Sequence, residues 1–384
     1  MNLFSNNKIL GIIGGGQLGK MLLNDTFKWN ITTYVLDPDK DAPAKQFCNK
    51  FYCGDLNDFD TIYQFGKKAD IITFEIEHIN TEALKKLEKE GAIIYPKPNT
   101  LSIIQDKFKQ KKFYLDNNIP TSDFIFFDSI KDLTHAFETK KIKLPFVWKS
   151  TKFGYDGFGV RIINNKTDIE LIENKPCIIE ELIYYKKELS IIICRNLDGD
   201  CKLFPTVEMK FNKISNQLET VIFPAEINDK INSQAKEIAL KVADSFKNVG
   251  LLAIEMFLTI DDQILVNEVA PRPHNSGHFT IEGTMTSQFE QHIRAILNLP
   301  LGSTKLICAG LMMNLSGSEN FFGNVHYENL DKIFKLEGVN LHVYGKKKVR
   351  PNRKMGHITI LNKNKSKAEE IKNNIKKIIK IISK

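Results

Sequence analysis

Two apolar runs near residue 260 each carry one carboxylate, and this pairing restricts the chain more than any other feature. Residues 251–258 read LLAIEMFL and residues 263–269 read QILVNEV, with Thr259 to Asp262 between them. Runs of this kind around a short polar connection read as two strands of a hairpin. With the turn on Asp261 and Asp262, Glu255 falls directly opposite Glu268 on one face, about 4.5–5.5 Å apart at Cβ. Facing carboxylates in apolar strands repel, so something must compensate. A magnesium ion that also meets phosphate oxygens supplies hard oxygen chemistry for that purpose. One protonated glutamate, or a longer turn that offsets the pair, are the alternatives. In this register Asn267 pairs with Met256 on the opposite face, unless the strand end bends it inward. The following residues, APRPHNSGH at 270–278, form a loop stiffened by Pro271 and Pro273. It presents Arg272, His274, Asn275, Ser276 and His278 at a strand end, where α/β ligand sites lie. Its HxxxH spacing is not on a helix, so zinc is not expected.

At 384 residues the chain exceeds one ordinary core. The first hundred residues alternate strand and helix. Strands are expected at 8–13, 31–36, 70–74 and 93–95, with a helix over 81–90, which is the rhythm of a doubly wound parallel sheet. Pro96 and Pro98 end this region. A lysine-rich helix follows from 106 to Pro120, then mostly strands. An amphipathic helix over 231–249 places Ile231, Ala235, Ile238, Ala239, Val242 and Phe246 on one face, and a second helix spans 287–297. Pro300 and Gly302 mark another break. The last module ends in a helix capped by Ser366 with Glu369, with Ile371, Ile375, Ile378 and Ile379 on one face. The fold class is α/β with α+β elements, in domains 1–105, 106–300 and 301–384.

Composition excludes several classes. A hydrophobic share of 42% with 26% charged residues is that of a globular protein. No apolar run reaches the ~18–20 residues a membrane span needs. The first residues do not read as a signal peptide, so no membrane partner and a cytoplasmic location are expected. The six cysteines contain no CxxC pair and read as reduced thiols. A net charge of +8, spread along the chain without aromatic–basic interleaving, does not suggest nucleic acid.

Two glycine loops invite anions. Residues 14–19 (GGGQLG) satisfy GxGxxG between a strand and a helix, and Asp37 ends the next strand. A dinucleotide, another phosphate ligand such as a sugar phosphate, and a tight turn that binds nothing all satisfy this pattern. Residues 149–159 (KSTKFGYDGFG) join two apolar strands. Three glycines and two lysines there could fold over a polyphosphate or make a flexible hairpin.

Taken together, IIGGGQLGKML, IITFEIEHI, KSTKFGYDGFG, EELIYYKKELS, LLAIEMF with VNEVAPRPHNSGH, and HVYGKKKVRPNRKMGH resemble the 5-(carboxyamino)imidazole ribonucleotide synthase family of ATP-grasp ligases. The likeness covers nearly the whole chain. It implies a three-domain ATP-grasp architecture, with an N-terminal Rossmann-like sheet, a central ATP-grasp domain and a small C-terminal domain. It implies ATP and Mg2+, carboxylation of 5-aminoimidazole ribonucleotide with bicarbonate through a carboxyphosphate intermediate, and a homodimer. By resemblance, Glu255 and Glu268 are the metal ligands. Lys107, Lys149, Gly154, Gly157, Gly159 and Asn267 serve the ATP phosphates, Glu180, Glu181, Leu182 and Ile183 the adenine, and Glu188 the ribose. Tyr155, Asp156 and Lys354 are the catalytic candidates. Gln17, Leu18, Glu75, Arg272, Asn275, Ser276, Lys346 and Arg353 are the substrate-binding candidates. The chain departs from the family's GGYDGKG loop at Phe153 and Phe158. Met209 and Phe211 stand where many relatives carry a polar residue and a histidine.

Overall fold

The computed structural model describes residues 8–152 and 159–384. Its first unit is a five-stranded parallel sheet. Ile9–Ile13 lies in the middle, with Thr32–Asp37 and then Lys50–Cys53 on one side, and Ile71–Phe74 and then Ile93–Ile94 on the other. Four of the five strands are those expected. Lys50–Cys53 was not anticipated, because as an edge strand (KFYC) none of its residues is buried and it carries no apolar alternation. Helix Thr81–Lys89 starts where the Asn80 side chain accepts the Ala83 N–H, and it buries Ala83, Leu84 and Leu87 against the sheet. The order of strand addition switches sides between Ile9–Ile13 and Ile71–Phe74. The crevice beyond their carboxyl ends is therefore the natural ligand position.

The middle of the chain builds two antiparallel sheets. The smaller has four strands in the order Phe124–Phe127, Cys177–Glu181, Phe146–Ser150, Val160–Ile163. Its core is its own, with Leu133, Phe146, Trp148, Ile163, Cys177 and Ile179 packed together. The larger runs in the order Ile264–Ala270, Gly250–Thr259, Tyr185–Arg195, Val207–Phe211, Leu218–Phe223, Gly310–Ser316, Lys354–Leu361, Val339–Val343, with Cys201–Leu203 branching from Tyr185–Arg195. Helix Asp229–Phe246 covers one face. All six residues expected on its inner face are buried there.

The turn at Pro300 and Gly302 leaves the sheet continuous, because Leu218–Phe223 pairs directly with Gly310–Ser316. One expectation needs correction. Helix Lys365–Ile378 is capped by Asn364, whose side chain accepts the Lys367 N–H. Ser366 lies inside the first turn, and the helix gives way at Ile379 to strand Lys380–Ser383, which pairs with Gly323–Glu328. All six cysteines are free, and Cys177 and Cys194 are buried. Among the described residues no helix is long and apolar enough to cross a membrane.

The continuous sheet makes one position critical. A Cβ on Gly310 would lie 2.1 Å from the Ile360 carbonyl oxygen and 2.9 Å from the Phe223 ring. Backbone cannot move aside cheaply inside a ladder. Gly310→Ala is expected to lower stability by about 1–3 kcal/mol, read as an earlier urea midpoint. An unchanged midpoint would show that the two sheet halves are not tightly joined here.

Candidate active site

The hairpin holds the two glutamates as a facing pair, by a register different from the simple one. Glu255 pairs with Glu268, Ile254 with Val269 and Ala253 with Ala270. Beyond Glu255 the ladder shifts by one, so Met256 faces Val266 and Leu258 faces Ile264. Asn267 is the extra residue of a β-bulge, and its expected pairing with Met256 is not made. The shift compensates for the turn, a three-residue loop closed by Asp262 at φ +61. The bulge brings Asn267 to the same side as its neighbour: Lys149 Nζ donates to Asn267 Oδ1 at 3.1 Å, while Lys107 Nζ lies 2.7 Å from Glu268 Oε2.

The electrostatics of the pair are unequal. Glu255 is the deeper side chain, at 15% exposure against 45% for Glu268. Burial and the facing Glu268 push the Glu255 carboxyl up, whereas Lys107 holds Glu268 below the usual carboxylate range. Among the described residues no three His, Cys, Asp or Glu side chains gather to hold a metal alone. Two carboxylates that lack a third protein ligand fit a magnesium ion completed by phosphate oxygens and water.

Beneath the pair runs a cation–anion network that sequence reasoning reached only in part. Glu180 is the next-to-last residue of strand Cys177–Glu181 and has a lysine beside each oxygen. Lys149 lies 2.9 Å from Oε1, Lys111 lies 3.1 Å from Oε2, and the Ser122 hydroxyl donates to Oε2 at 2.7 Å. Burial disfavours this charge, yet Lys149 and Lys111 hold the Glu180 carboxyl at about 2. Lys111, only 2% exposed, was missed. Its signal was available, since it stands four residues after Lys107 on helix Lys107–Asp116 and so shares its face. The side chain of Glu180 therefore serves the lysines. Glu181 is exposed, while Leu182 and Ile183 are partly so. Glu188 accepts from the Tyr185 hydroxyl at 2.6 Å, and the Tyr185 ring stacks on Phe257. Met209 is buried and pairs with Glu188 across the sheet. Gly159 follows with φ +74 and accepts the Ser150 N–H. Gly154, Tyr155, Asp156 and Gly157, with Phe153 and Phe158, lie outside the described residues.

On the substrate side the first glycine loop is already sealed. The amides of Gly14, Gly15 and Gly16 donate to the Leu36 carbonyl at 2.8 Å, to Asp37 Oδ2 at 2.7 Å and to Glu75 Oε1 at 2.6 Å. Asp37 also takes the Asp39 N–H, so the acid that suggested a dinucleotide ribose is spent inside the fold. Gly14 and Gly16 are required because a Cβ at either would meet Glu75 within 2.8 Å. Helix Gln17–Lys28 begins without a side-chain cap, so its first amides remain available. Gln17 is half-buried, but Leu18 packs in the core, so only its backbone could face a ligand.

Arg272 pairs with Glu77 at 2.9 Å. His274, absent from the expected set, brings Nε2 to 3.5 Å from Glu255 Oε1 and accepts the Ser276 N–H at Nδ1. Ser276 corrects an expectation. Fully buried between Ser190 and His274, at 2.9 Å from each, it orients the imidazole and cannot touch a substrate. Asn275 exchanges both amide bonds with Asn314, which also limits its reach. Lys346 donates to the Lys354 carbonyl at 2.8 Å, and Arg353 to that of Lys348 at 2.6 Å. Their neighbours Lys347 and Lys348 are exposed. Lys354 is near enough to lower the Glu255 pKa, and Arg272 and Lys346 near enough to lower that of Glu75. The carboxylate pair, the basic residues and the glycine turn thus lie within electrostatic reach of one another.

Glu75 gives a pH test. Burial pushes its carboxyl up to about 7. A raised folded pKa contributes stability that is complete below the unfolded value, near 4.5, and is lost as pH rises through the folded one. Glu75→Gln keeps an acceptor for Gly16 without the charge. It is expected to be more stable than wild type at pH 8 by up to about 2–3 kcal/mol, with the gap shrinking toward pH 5. Parallel melting curves across that window would argue against a buried Glu75 charge.

Three known domain patterns match the chain in order. The ribonucleotide synthetase preATP-grasp domain matches residues 7–105, the ATP-grasp domain 112–289, and the phosphoribosylaminoimidazole carboxylase C-terminal domain 310–371. The chain is 39% identical to N5-carboxyaminoimidazole ribonucleotide synthase of Bacillus subtilis, over 92% of this chain and 91% of that one. The crystal structure of N5-carboxyaminoimidazole ribonucleotide synthetase from Thermotoga maritima superposes with a TM-score of 0.89 at 42% identity, covering 98% and 100% of the two chains. The Aspergillus clavatus synthase in complex with ADP and 5-aminoimidazole ribonucleotide superposes at 0.87, with 32% identity over 97% and 98%. With three domain patterns in order and relatives matched nearly end to end, the chain belongs to the N5-carboxyaminoimidazole ribonucleotide synthases, a family of ATP-grasp ligases.

Proposed function

We propose that this chain couples ATP hydrolysis to carboxylation of 5-aminoimidazole ribonucleotide by bicarbonate, forming the N-carboxylated ribonucleotide, ADP and phosphate in purine biosynthesis. The observation that carries the reading is the neighbourhood of two charge groups. Glu255 faces Glu268, with Lys107 on Glu268 and Lys149 on Asn267, while Lys354 acts on Glu255 and Arg272 and Lys346 act on Glu75. A ligase that activates one substrate with a phosphoryl group and hands it to another needs such a junction.

The chemistry proceeds in two displacements. A bicarbonate oxygen attacks the γ-phosphorus and ADP leaves. The amine of the ribonucleotide then attacks the carbonyl carbon of carboxyphosphate, phosphate leaves, and the amine loses its proton. The protein's contribution is position and charge. Lys107 and Lys149 hold the nucleotide phosphates, and Asn267 at the bulge fixes Lys149. The 180–183 segment receives adenine through its backbone, and Glu188 receives the ribose diol. Magnesium between Glu255 and Glu268 would neutralise phosphate charge. Arg272, Lys346 and Arg353 offer charge-assisted bonds to the ribonucleotide phosphate, with Gln17 and the Leu18 amide closing over it. Lys354 meets the carboxyl group. Tyr155 and Asp156 meet bicarbonate and substrate from the second glycine loop. Domains bounded near 105 and 300, a homodimer and a cytoplasmic location complete the reading.

Phosphate release from ATP is expected to require bicarbonate and to rise on addition of 5-aminoimidazole ribonucleotide. Activity indifferent to that compound would overturn the substrate. Glu268→Gln should lower turnover by at least about a hundredfold with an unchanged circular dichroism spectrum. Retained turnover would remove the metal role.

A further inference from the structure

Helix Gln17–Lys28 carries a cation that the proposed chemistry does not use. Lys20 lies one turn past Gln17, its own amide bonded to the Gly16 carbonyl. Its Nζ leaves the N-terminal domain and donates to the carbonyls of Val343, at 3.0 Å, and Tyr344, at 3.4 Å. The ammonium also sits 5.2 Å from the centre of the Phe47 ring. Those carbonyls end strand Val339–Val343 and open the turn at Gly345, whose φ is +86. Lys346 follows at once and donates to the carbonyl of Lys354, while the Tyr344 N–H donates to the Met355 carbonyl at 3.0 Å. One chain of hydrogen bonds therefore runs from the glycine-turn helix, through Lys20, to the loop bearing Lys346 and the strand bearing Lys354. A second tie, Lys347 to Asp41 at 2.6 Å, joins the same loop to the same domain, but Lys347 is exposed and Asp41 partly so. Exposed pairs of this kind contribute little.

We propose that Lys20 is a positioning residue: it clasps the 343–346 turn to the glycine-turn helix and so sets Lys346 at the distance from Gln17 that the ribonucleotide phosphate requires. This rests on the function proposed above. The carbonyl acceptors explain why a long flexible cation stands here. Main-chain oxygens fix the path of the turn whatever side chains it carries, and Arg at position 20 could reach the same two.

Lys20→Met keeps the aliphatic stem and removes both bonds. The expected result is a KM for 5-aminoimidazole ribonucleotide raised about tenfold, an unchanged KM for ATP, unchanged basal bicarbonate-dependent phosphate release, and recovery in Lys20→Arg. In the ligand-free protein, amide hydrogen exchange over residues 343–348 should quicken in Lys20→Met and recover in Lys20→Arg. Unchanged exchange there would overturn the clasp even if the substrate assignment holds. Both KM values rising together, without recovery in Lys20→Arg, would reduce Lys20 to a general packing role. A wild-type enzyme indifferent to the ribonucleotide, with exchange still governed by Lys20, would overturn the substrate reading and leave the clasp as a structural tie without the function proposed for it.

Discussion

Two carboxylates facing each other across adjacent strands cost free energy, and much of the site is arranged around that cost. Glu255 takes the deeper position and is pushed toward protonation, while Glu268 at the lip is held ionised by Lys107. An apolar hairpin would be easier to fold. In the proposed function a cation held with nucleotide phosphates would supply the missing positive charge, of which Lys107 supplies part. The bulge at Asn267 serves the same end. It breaks the alternation that would turn every second side chain away, so two consecutive residues, Asn267 and Glu268, engage Lys149 and Lys107.

Much of this was legible in the sequence, for reasons that vary by element. The parallel N-terminal sheet was legible because buried strands read as short apolar runs between helical patterns. The Glu255–Glu268 pairing was legible because apolar strands make isolated carboxylates conspicuous. The means by which they meet was hidden. The three-residue turn throws the first pairs off the simple register by one and the bulge restores it, so the two adjustments cancel at Glu255 and Glu268. Lys111 was obscured by the company it keeps, a run of four lysines (107, 109, 111 and 112) of which two face inward. Ser276 read as a substrate contact because its loop is functional, but sequence does not tell which side chains of such a loop face inward. The third domain looked separable because Pro300 and Gly302 mark a real turn, although hydrogen bonds across the sheet ignore chain order.

The N-terminal glycine loop shows how far a motif can be trusted. Its spacing matches dinucleotide-binding turns, and its glycines are demanded by steric contact with Glu75. Yet three successive amides are consumed by Leu36, Asp37 and Glu75 before any ligand arrives. What remains for an anion is the uncapped helix start at Gln17. The pattern thus reports a tight strand–helix junction, and the ligand must be argued from what surrounds it.

The distribution of cores suggests how such a site can both hold and release its ligands. Leu18, Met21 and Leu22 of the N-terminal helix pack with Phe289, Ile293 and Ile296 of the central domain and with Tyr344 of the third region, in one continuous cluster. The N-terminal helix and Tyr344 therefore share an apolar platform, and the Lys20 bonds to the Val343 and Tyr344 carbonyls act beyond it, on the turn that leads to Lys346. The four-stranded sheet bearing Lys149 differs, because its cluster draws only on residues between 127 and 179. Its links to the platform include polar ones: Lys149 to Asn267, and Glu180 to Lys111 and Ser122. Bonds of that kind can be exchanged for bonds to phosphate at modest net cost, whereas an apolar interface cannot be opened without exposing its whole area. Motion on nucleotide binding is accordingly expected in the small sheet, with the region around Tyr344 and helix Gln17–Lys28 standing still.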